Sequence, residues 1–249
     1  MTTTTTAPDA TVLLARATAY IQLARALAYP TDALLADLRA GGFVERLGAA
    51  VAVLDAAGPL AAALDDLARA VAALPAGPLG LAEEHTRLFA RQVPAPPYES
   101  SYDRDPGNSR VVRLQEIARY YAAFGLRVAP DHPDLPDHLG AELEFAGVLC
   151  AKEAYAIDAG LAEPAAVCAE ARARFVGEHL IGWLPRFVER LEAQARLAFY
   201  PAVAALALAL LRDEPVASLV AAPAPDVPAA ADDEPFNCAL GPGMAAALE

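Results

Sequence analysis

Four titratable side chains that could bind a cation or exchange a proton lie close together near the middle of the sequence. They are Asp137, His138, Glu142 and Glu144. His138 and Glu142 are four positions apart, so on a helix they would be neighbours on one face. Carboxylates pair well with guanidinium groups, because the planar donor fork of arginine matches two carboxylate oxygens. The cluster therefore predicts an open, negatively charged cleft beside Asp137 and His138 that binds an arginine-bearing group.

The same residues leave a catalytic alternative open. His138 and Glu142 could supply two ligands of a metal site, which would make the chain a helical metal-dependent enzyme. Asp137 and His138 could also act as an acid–base pair. The sequence has no glycine-rich nucleotide motif, no G-x-S-x-G motif, and no histidine three positions after a glutamate. We therefore predict a protein that is not an enzyme and uses no metal or cofactor, with the metal-dependent enzyme as the alternative.

A proline-rich segment upstream carries a second set of candidates. Residues 93–108 read as a long loop, in which Tyr98, Glu99 and Tyr102 could present two phenols and a carboxylate to a ligand. The alternative is that the tyrosines fasten the loop to the core. Tyr121 and Trp183 are further aromatic candidates for lining a groove, and core packing is the alternative for Trp183 as well.

The surrounding sequence predicts helices that position these residues. Hydrophobic residues make up 56% of the 249-residue chain, and much of this fraction is alanine, which favours helix. No sustained alternation of β-branched or aromatic residues predicts a strand. We predict an all-α fold, a single globular bundle of roughly ten helices. Its central helix begins with Asp137 as the N-cap, directly after Pro136.

Composition divides the chain into four parts. Residues 1–8 are predicted to be a disordered lead, and residues 9–212 the helical domain, with a hinge near residues 127–136. Residues 213–244 are predicted to be a flexible acidic tail rich in proline and alanine. Residues 245–249 resemble an end derived from an expression vector.

The net charge of −13 argues against several classes of partner. Nucleic acids and anionic membranes are bound by basic patches, so we predict neither as a partner. No apolar run is long enough for stable membrane insertion. Three cysteines without metal-binding spacing, and no visible secretory signal, predict a cytoplasmic protein.

Several short motifs resemble those of one known family, in the same order. They are Arg87-Leu88-Phe89, Pro97–Tyr102, Pro136–Leu139, Glu142–Phe145, Trp183-Leu184-Pro185 and Phe199-Tyr200. Over roughly residues 84–211 the chain thereby resembles the TorD/DmsD/NarJ family of molybdoenzyme maturation chaperones. One such tetrapeptide would carry little information, whereas the ordered set is specific.

The resemblance implies an all-α cytoplasmic chaperone with a role in protein folding. Such a chaperone binds the twin-arginine signal peptide at the N-terminus of an apo-molybdoenzyme catalytic subunit. It assists insertion of the molybdopterin cofactor, with molybdenum-cofactor delivery proteins as further partners, and it holds back export until folding is complete. The resemblance also implies a monomer or a domain-swapped dimer, and a role for Asp137 and His138 in peptide binding. The full predicted peptide-binding set is Asp137, His138, Glu142, Glu144, Tyr98, Glu99, Tyr102, Tyr121 and Trp183.

Overall fold

The computed structural model describes residues 9–55, 58–75, 77, 79–90, 93–102, 110–129 and 134–214. Within these ranges the chain forms ten α-helices and no strand, so the predicted all-α fold is confirmed. In chain order the helices are α1 (Ala10–Leu27), α2 (Asp32–Ala40), α3 (Gly42–Leu54), α4 (Pro59–Ala72), α5 (Leu79–His85), α6 (Arg110–Ala123), α7 (Leu139–Asp158), α8 (Ala162–Phe175), α9 (Leu184–Gln194) and α10 (Phe199–Arg212). None of the helices in the described part of the chain has the length and apolarity that a membrane span requires.

Several predicted segments lie wholly or partly outside the described residues. These are the lead at residues 1–8, residues 130–133 of the hinge, the tail from residue 215 onward, and residues 245–249. Asp213 and Glu214, which the sequence assigns to the tail, are instead held by the helical domain, where Glu214 is buried.

Helices α1 and α7 form the central pair and run antiparallel. Gly140, near the start of α7, lies against Ala24 near the end of α1, whereas Ala154 near the end of α7 packs on the first turns of α1. Gly147, at the middle of the contact, lets the two backbones approach closely. A Cβ atom at this position would lie 3.3 Å from the carbonyl oxygen of Ala17.

The remaining helices surround this pair. Helices α3 and α10 pack on α1, α8 packs on α7, α4 packs on α3 and α10, and α9 packs on α10. Helix α10 is almost entirely apolar and is buried on most of its surface, as expected for a helix inside a bundle. One continuous apolar cluster therefore connects the N-terminal and C-terminal helices.

A buried ionic network ties four helices together at one end of the bundle. Arg172 of α8 donates to Glu153 of α7 at 2.9 Å and also to Glu214, just after α10. Tyr20 of α1 donates its hydroxyl to Glu214 at 2.8 Å, and Arg16 pairs with Asp213 at 2.6 Å. Because buried charges are costly unless paired, this network fixes how α10 ends against α1, α7 and α8.

Two π-helical turns interrupt the helices. One spans Thr86–Ala90 after α5, and the other spans Val176–Leu180 after α8. A π-helical turn contains one residue more than an α-helical turn and often occurs at functional sites. After the second turn, α9 begins at Leu184 with Pro185 in its first turn, where the missing N–H of proline costs no helical hydrogen bond.

Candidate functional site

Residues Tyr98–Tyr102, here called the covering segment, lie across the start of α7. Tyr98 and His138 form an isolated antiparallel bridge. The backbone N–H of Glu99 donates to the carbonyl oxygen of Asp137 at 3.0 Å, and the N–H of Ser100 donates to Oδ2 of the same residue at 3.2 Å. The covering segment is thus joined to α7 through short polar contacts around Asp137.

The N-cap of α7 is His138, one residue later than predicted. The Nδ1 atom of His138 accepts a hydrogen bond from the backbone N–H of Gly140 at 3.0 Å. The prediction of Asp137 as the N-cap is therefore wrong, because the carboxylate of Asp137 is directed to the covering segment instead. An accepting Nδ1 carries no proton, so a neutral His138 ring carries its proton on Nε2.

Glu99 of the covering segment meets Asp137 and Glu142, which lie beneath it. These three carboxylates are here called the carboxylate cluster. All three are buried. Burial, followed by the negative charges of Glu99 and Asp137, raises the pKa of Glu142 well above its ordinary value. The same site raises the pKa of Tyr121, chiefly through burial and then through the charge of Glu142. Glu142 therefore keeps its proton to a higher pH than an exposed glutamate does.

The side chains of Arg113 and His179 both contact Glu99. The positive charge of Arg113 partly offsets the negative charge of the carboxylate cluster. The Nε atom of Arg113 lies 3.3 Å from Oε1 of Glu99, and Nδ1 of His179 lies 3.0 Å from its Oε2. Among the described residues, no donor makes a hydrogen bond of acceptable geometry to either oxygen of an ionised Glu142 or to Oδ1 of Asp137, whereas a protonated Glu142 can donate to the side chain of Glu99. The cluster thus has capacity for further hydrogen-bond donors.

The aromatic candidates surround the cluster as part of the core. Tyr102 stacks on Trp183 with ring centroids 5.3 Å apart, and the indole N–H of Trp183 donates to the carbonyl oxygen of His179 at 2.6 Å. Tyr121 packs on Phe145 with centroids 4.8 Å apart. Tyr102 and Trp183 are thus packed in the core, as their alternative interpretations predicted, and Tyr121 is buried there as well; all three are at most 5% exposed.

The structure brings the predicted site residues together but does not leave most of them open to solvent. Asp137 is 0% exposed and His138 is 6% exposed, so the expected open acidic cleft beside this pair is closed by the covering segment. Tyr98 is half-buried, with its hydroxyl donating to Asp134 at 3.0 Å, and only Glu144 of the predicted set is fully on the surface. The polar face of α7 predicted the cluster but could not reveal the segment that covers it.

Two members of the site escaped the sequence analysis as functional residues. They are His179 and Arg113, neither of which belongs to the predicted peptide-binding set. Both reach the cluster across long sequence separations, and His179 is 80 positions from its partner Glu99. No local spacing indicates such a pair.

The donor set of the site does not favour the metal-dependent alternative. Nδ1 of His138 is engaged in the helix cap. Within the described ranges, no group of three His, Cys, Asp or Glu side chains is arranged to hold a metal ion. His138 and Glu142 therefore lack the third ligand that a catalytic metal site requires.

The family model for the nitrate reductase delta subunit matches residues 54–189, more than half of the chain. The chain belongs to this family. The match includes the covering segment and the whole carboxylate cluster, and it confirms the family resemblance predicted from the sequence motifs.

Curated relatives of this family member carry chaperone names. A selenate reductase assembly chaperone protein from Thauera selenatis is 40% identical over 97 residues, which are 39% of this chain and 48% of the relative. A chlorate reductase assembly chaperone protein from Ideonella dechloratans is 42% identical over 89 residues, 35% of this chain and 45% of the relative. Chaperone protein TorD from Vibrio cholerae serotype O1 is 31% identical over 141 residues, 55% of this chain and 61% of the relative. The chain thus spans about half the length of the curated relatives it matches.

Proposed function

We propose that the protein is a non-catalytic chaperone for the assembly of a molybdopterin-containing oxidoreductase. In this proposal it binds the N-terminal twin-arginine signal segment of the apo catalytic subunit in the cytoplasm. It assists insertion of the molybdopterin cofactor, in contact with cofactor delivery proteins, and holds back export until the subunit has folded. Family membership and the names of the relatives support the chaperone role.

The observation that carries the binding proposal is the carboxylate cluster. Three buried carboxylates face one guanidinium and one imidazole, and the oxygens of Glu142 have no well-formed hydrogen bond among the described residues. A guanidinium from a client would supply several donors in a planar fork that suits this arrangement. The guanidinium of Arg113, whose Nε atom lies 3.3 Å from Oε1 of Glu99, supports this proposal because it already places one such group beside the cluster.

Access to the cluster requires movement of the covering segment. Its polar connections to α7 are few: one backbone bridge at Tyr98 and the contacts of Glu99 and Ser100 with Asp137. In the proposal, a client peptide displaces the covering segment, places an arginine beside Asp137 and Glu142, and lays its apolar run over Trp183, which Tyr102 covers in this structure. An exposed charge pair contributes only about 0.2–1 kcal/mol, so most of the affinity comes from the apolar run.

Isothermal titration with a peptide that carries two adjacent arginines and an apolar run tests this proposal. A guanidinium beside Glu142 favours its ionised form, so binding should release a proton. Titrations in buffers of different ionisation enthalpy, above the ordinary glutamate pKa of about 4.3, measure this release. We expect the paired-lysine version of the peptide to bind about tenfold more weakly, because lysine lacks the donor fork.

The matched variants are Glu142→Gln and Glu144→Gln. Glu142→Gln should abolish the proton release, whereas Glu144→Gln, two positions away on the surface, should leave it unchanged. No saturable heat with the arginine peptide would count against the proposal, as would equal affinity and equal proton release in Glu142→Gln. A protein that instead remains bound to the mature enzyme throughout co-purification would be a structural subunit rather than a chaperone.

A further inference from the structure

A cavity lies outside the carboxylate cluster, between the end of the covering segment and α9. It has a volume of about 410 Å³ and is lined by Ser101, Tyr102, Arg186, Glu189 and Arg190. Its size falls in the range of small-molecule sites, roughly 300–1,000 Å³. Two of its five lining side chains are arginines, in a chain whose net charge is −13.

The two arginines converge on one aromatic ring. The Cζ atoms of Arg186 and Arg190 lie 5.8 Å and 5.3 Å from the ring centroid of Tyr102. They are four positions apart on α9, where like charges repel each other. Neither forms a salt bridge with any residue in the described part of the chain. Within the described residues, this arrangement keeps two positive charges together without a salt bridge to either of them.

Two buried polar atoms at the same cavity make no hydrogen bond of good geometry with any described residue. They are the hydroxyl of Tyr102, which is only 5% exposed and interacts with the Arg190 guanidinium, and the Nε atom of Arg186. Buried polar groups in folded proteins are nearly always hydrogen-bonded. The stack on Trp183 holds the Tyr102 ring in place, so its hydroxyl can serve as a donor to a ligand in the cavity.

We propose that this cavity binds the phosphate group of a small molecule. A phosphate group carries up to two negative charges and at least three acceptor oxygens. Both guanidinium groups, the Tyr102 hydroxyl and the exposed Ser101 hydroxyl can donate to it. A carboxylate has one charge and two oxygens and would leave donors unsatisfied. Glu189 adds one negative charge at the exposed rim, so the site keeps a net positive charge of one from two arginines and one glutamate.

The test uses the full chain and calorimetric titration at low ionic strength, at about pH 7.5, where a phosphate monoester is mostly dianionic. The probes are inorganic phosphate, phenyl phosphate and phenylacetate. We expect saturable binding of both phosphates, with phenylacetate at least about tenfold weaker. Tighter binding of phenyl phosphate than of inorganic phosphate would identify a phosphate monoester as the ligand, and equal binding would identify free phosphate. Both results support the site.

The variants Arg186→Gln and Arg190→Gln should each weaken phosphate binding by about tenfold. Arg39→Gln, which removes the same charge from the surface of α2, should leave binding unchanged. Arg190 is exposed, so Arg190→Gln should unfold at the same temperature as the wild type. A loss of phosphate binding in this variant therefore cannot be caused by a folding defect. Absence of saturable phosphate binding, equal binding of phenylacetate, or an equal loss in Arg39→Gln would overturn the proposal.

Discussion

His179 and Glu99 lie 80 positions apart in the sequence, yet Nδ1 of His179 is 3.0 Å from Oε2 of Glu99. Both side chains are buried. This pair connects the covering segment to the π-helical turn Val176–Leu180, and Trp183 extends the connection by donating its indole N–H to His179. A displacement of the covering segment must therefore break or move a contact in the C-terminal half, so we expect the two regions to move together.

Glu142→Gln should change how stability depends on pH. The raised pKa means that the folded protein keeps the Glu142 proton after the unfolded chain has lost it, above about pH 4.3. The free energy of unfolding contributed by this group therefore falls as pH rises from that value towards the native pKa, by up to about 1.4 kcal/mol per pH unit. Glutamine removes this dependence, so the variant should gain stability over the wild type as pH rises.

Urea unfolding at a series of pH values measures the effect of Glu142→Gln. Glu144→Gln is the control, because Glu144 is exposed on the same helix and should keep the wild-type slope. Parallel stability curves for wild type and Glu142→Gln would contradict the placement of Glu142 among buried like charges.

His138→Ala should destabilise the protein through loss of the N-cap of α7. The Nδ1 atom of His138 satisfies the backbone N–H of Gly140, and removal of an N-cap acceptor costs about 0.5–2 kcal/mol. His138→Asn restores a capping oxygen and should recover most of this loss. Thermal unfolding of the wild type, His138→Ala and His138→Asn measures the loss of stability. An equal loss in both variants would show that the packing of the His138 ring on Tyr98, and not the cap, stabilises the fold.

Gly147→Ala should destabilise the α1–α7 contact. The added Cβ would lie 3.3 Å from the carbonyl oxygen of Ala17 and 3.1 Å from Cγ1 of Ile21, and overpacking of this kind costs about 1–3 kcal/mol. This exceeds the gain of up to about 1 kcal/mol expected from replacing a helical glycine. Gly48→Ala on α3 is the matched control, since the nearest atom is 3.9 Å away, and it should be stabilising. Denaturant midpoints that rise for both variants would contradict the close approach.

Arg172→Met should destabilise the protein by about 3–5 kcal/mol, because it leaves Glu153 and Glu214 buried with less positive charge beside them. Adding Glu153→Leu should recover part of this loss, while Glu214 keeps its bonds from Arg16 and Tyr20. Arg69→Met breaks an exposed pair with Asp66 and should cost less than about 1 kcal/mol. Similar unfolding free energies for Arg172→Met and Arg69→Met would contradict this account.

The helices could be read from the sequence because their signals are local. Alanine and leucine at helical spacing, with breaks such as Gly58-Pro59 and Gly160, give α4 and the end of α7 within a few residues of their observed bounds. Gly160 has a φ of +70°, a left-handed conformation that glycine adopts without strain. Local backbone preference is thus enough to place most elements of an alanine-rich bundle.

The solvent exposure of the site residues could not be predicted from the sequence in the same way. The spacing of Asp137, His138 and Glu142 shows that they are close together, but whether they meet solvent depends on the covering segment, which bonds Asp137 from Ser100, 37 positions upstream. The polar character of these residues suggested an open cleft, whereas the structure covers them with a segment whose Glu99 is held by His179 and Arg113. Long-range pairs of this kind leave no periodic signal in a single sequence.

Because of the π-helical turn Val176–Leu180, the orientation of the side chains in this stretch depends on the number of residues as much as on their identity. Deleting one residue would allow an uninterrupted α-helix, which local propensity would accept readily. Everything downstream would then be turned by about 100° around the helix axis. The imidazole of His179 would face away from Glu99, and Trp183 would leave its place against Tyr102. We therefore expect this stretch to accept conservative replacements far more readily than a single-residue gap.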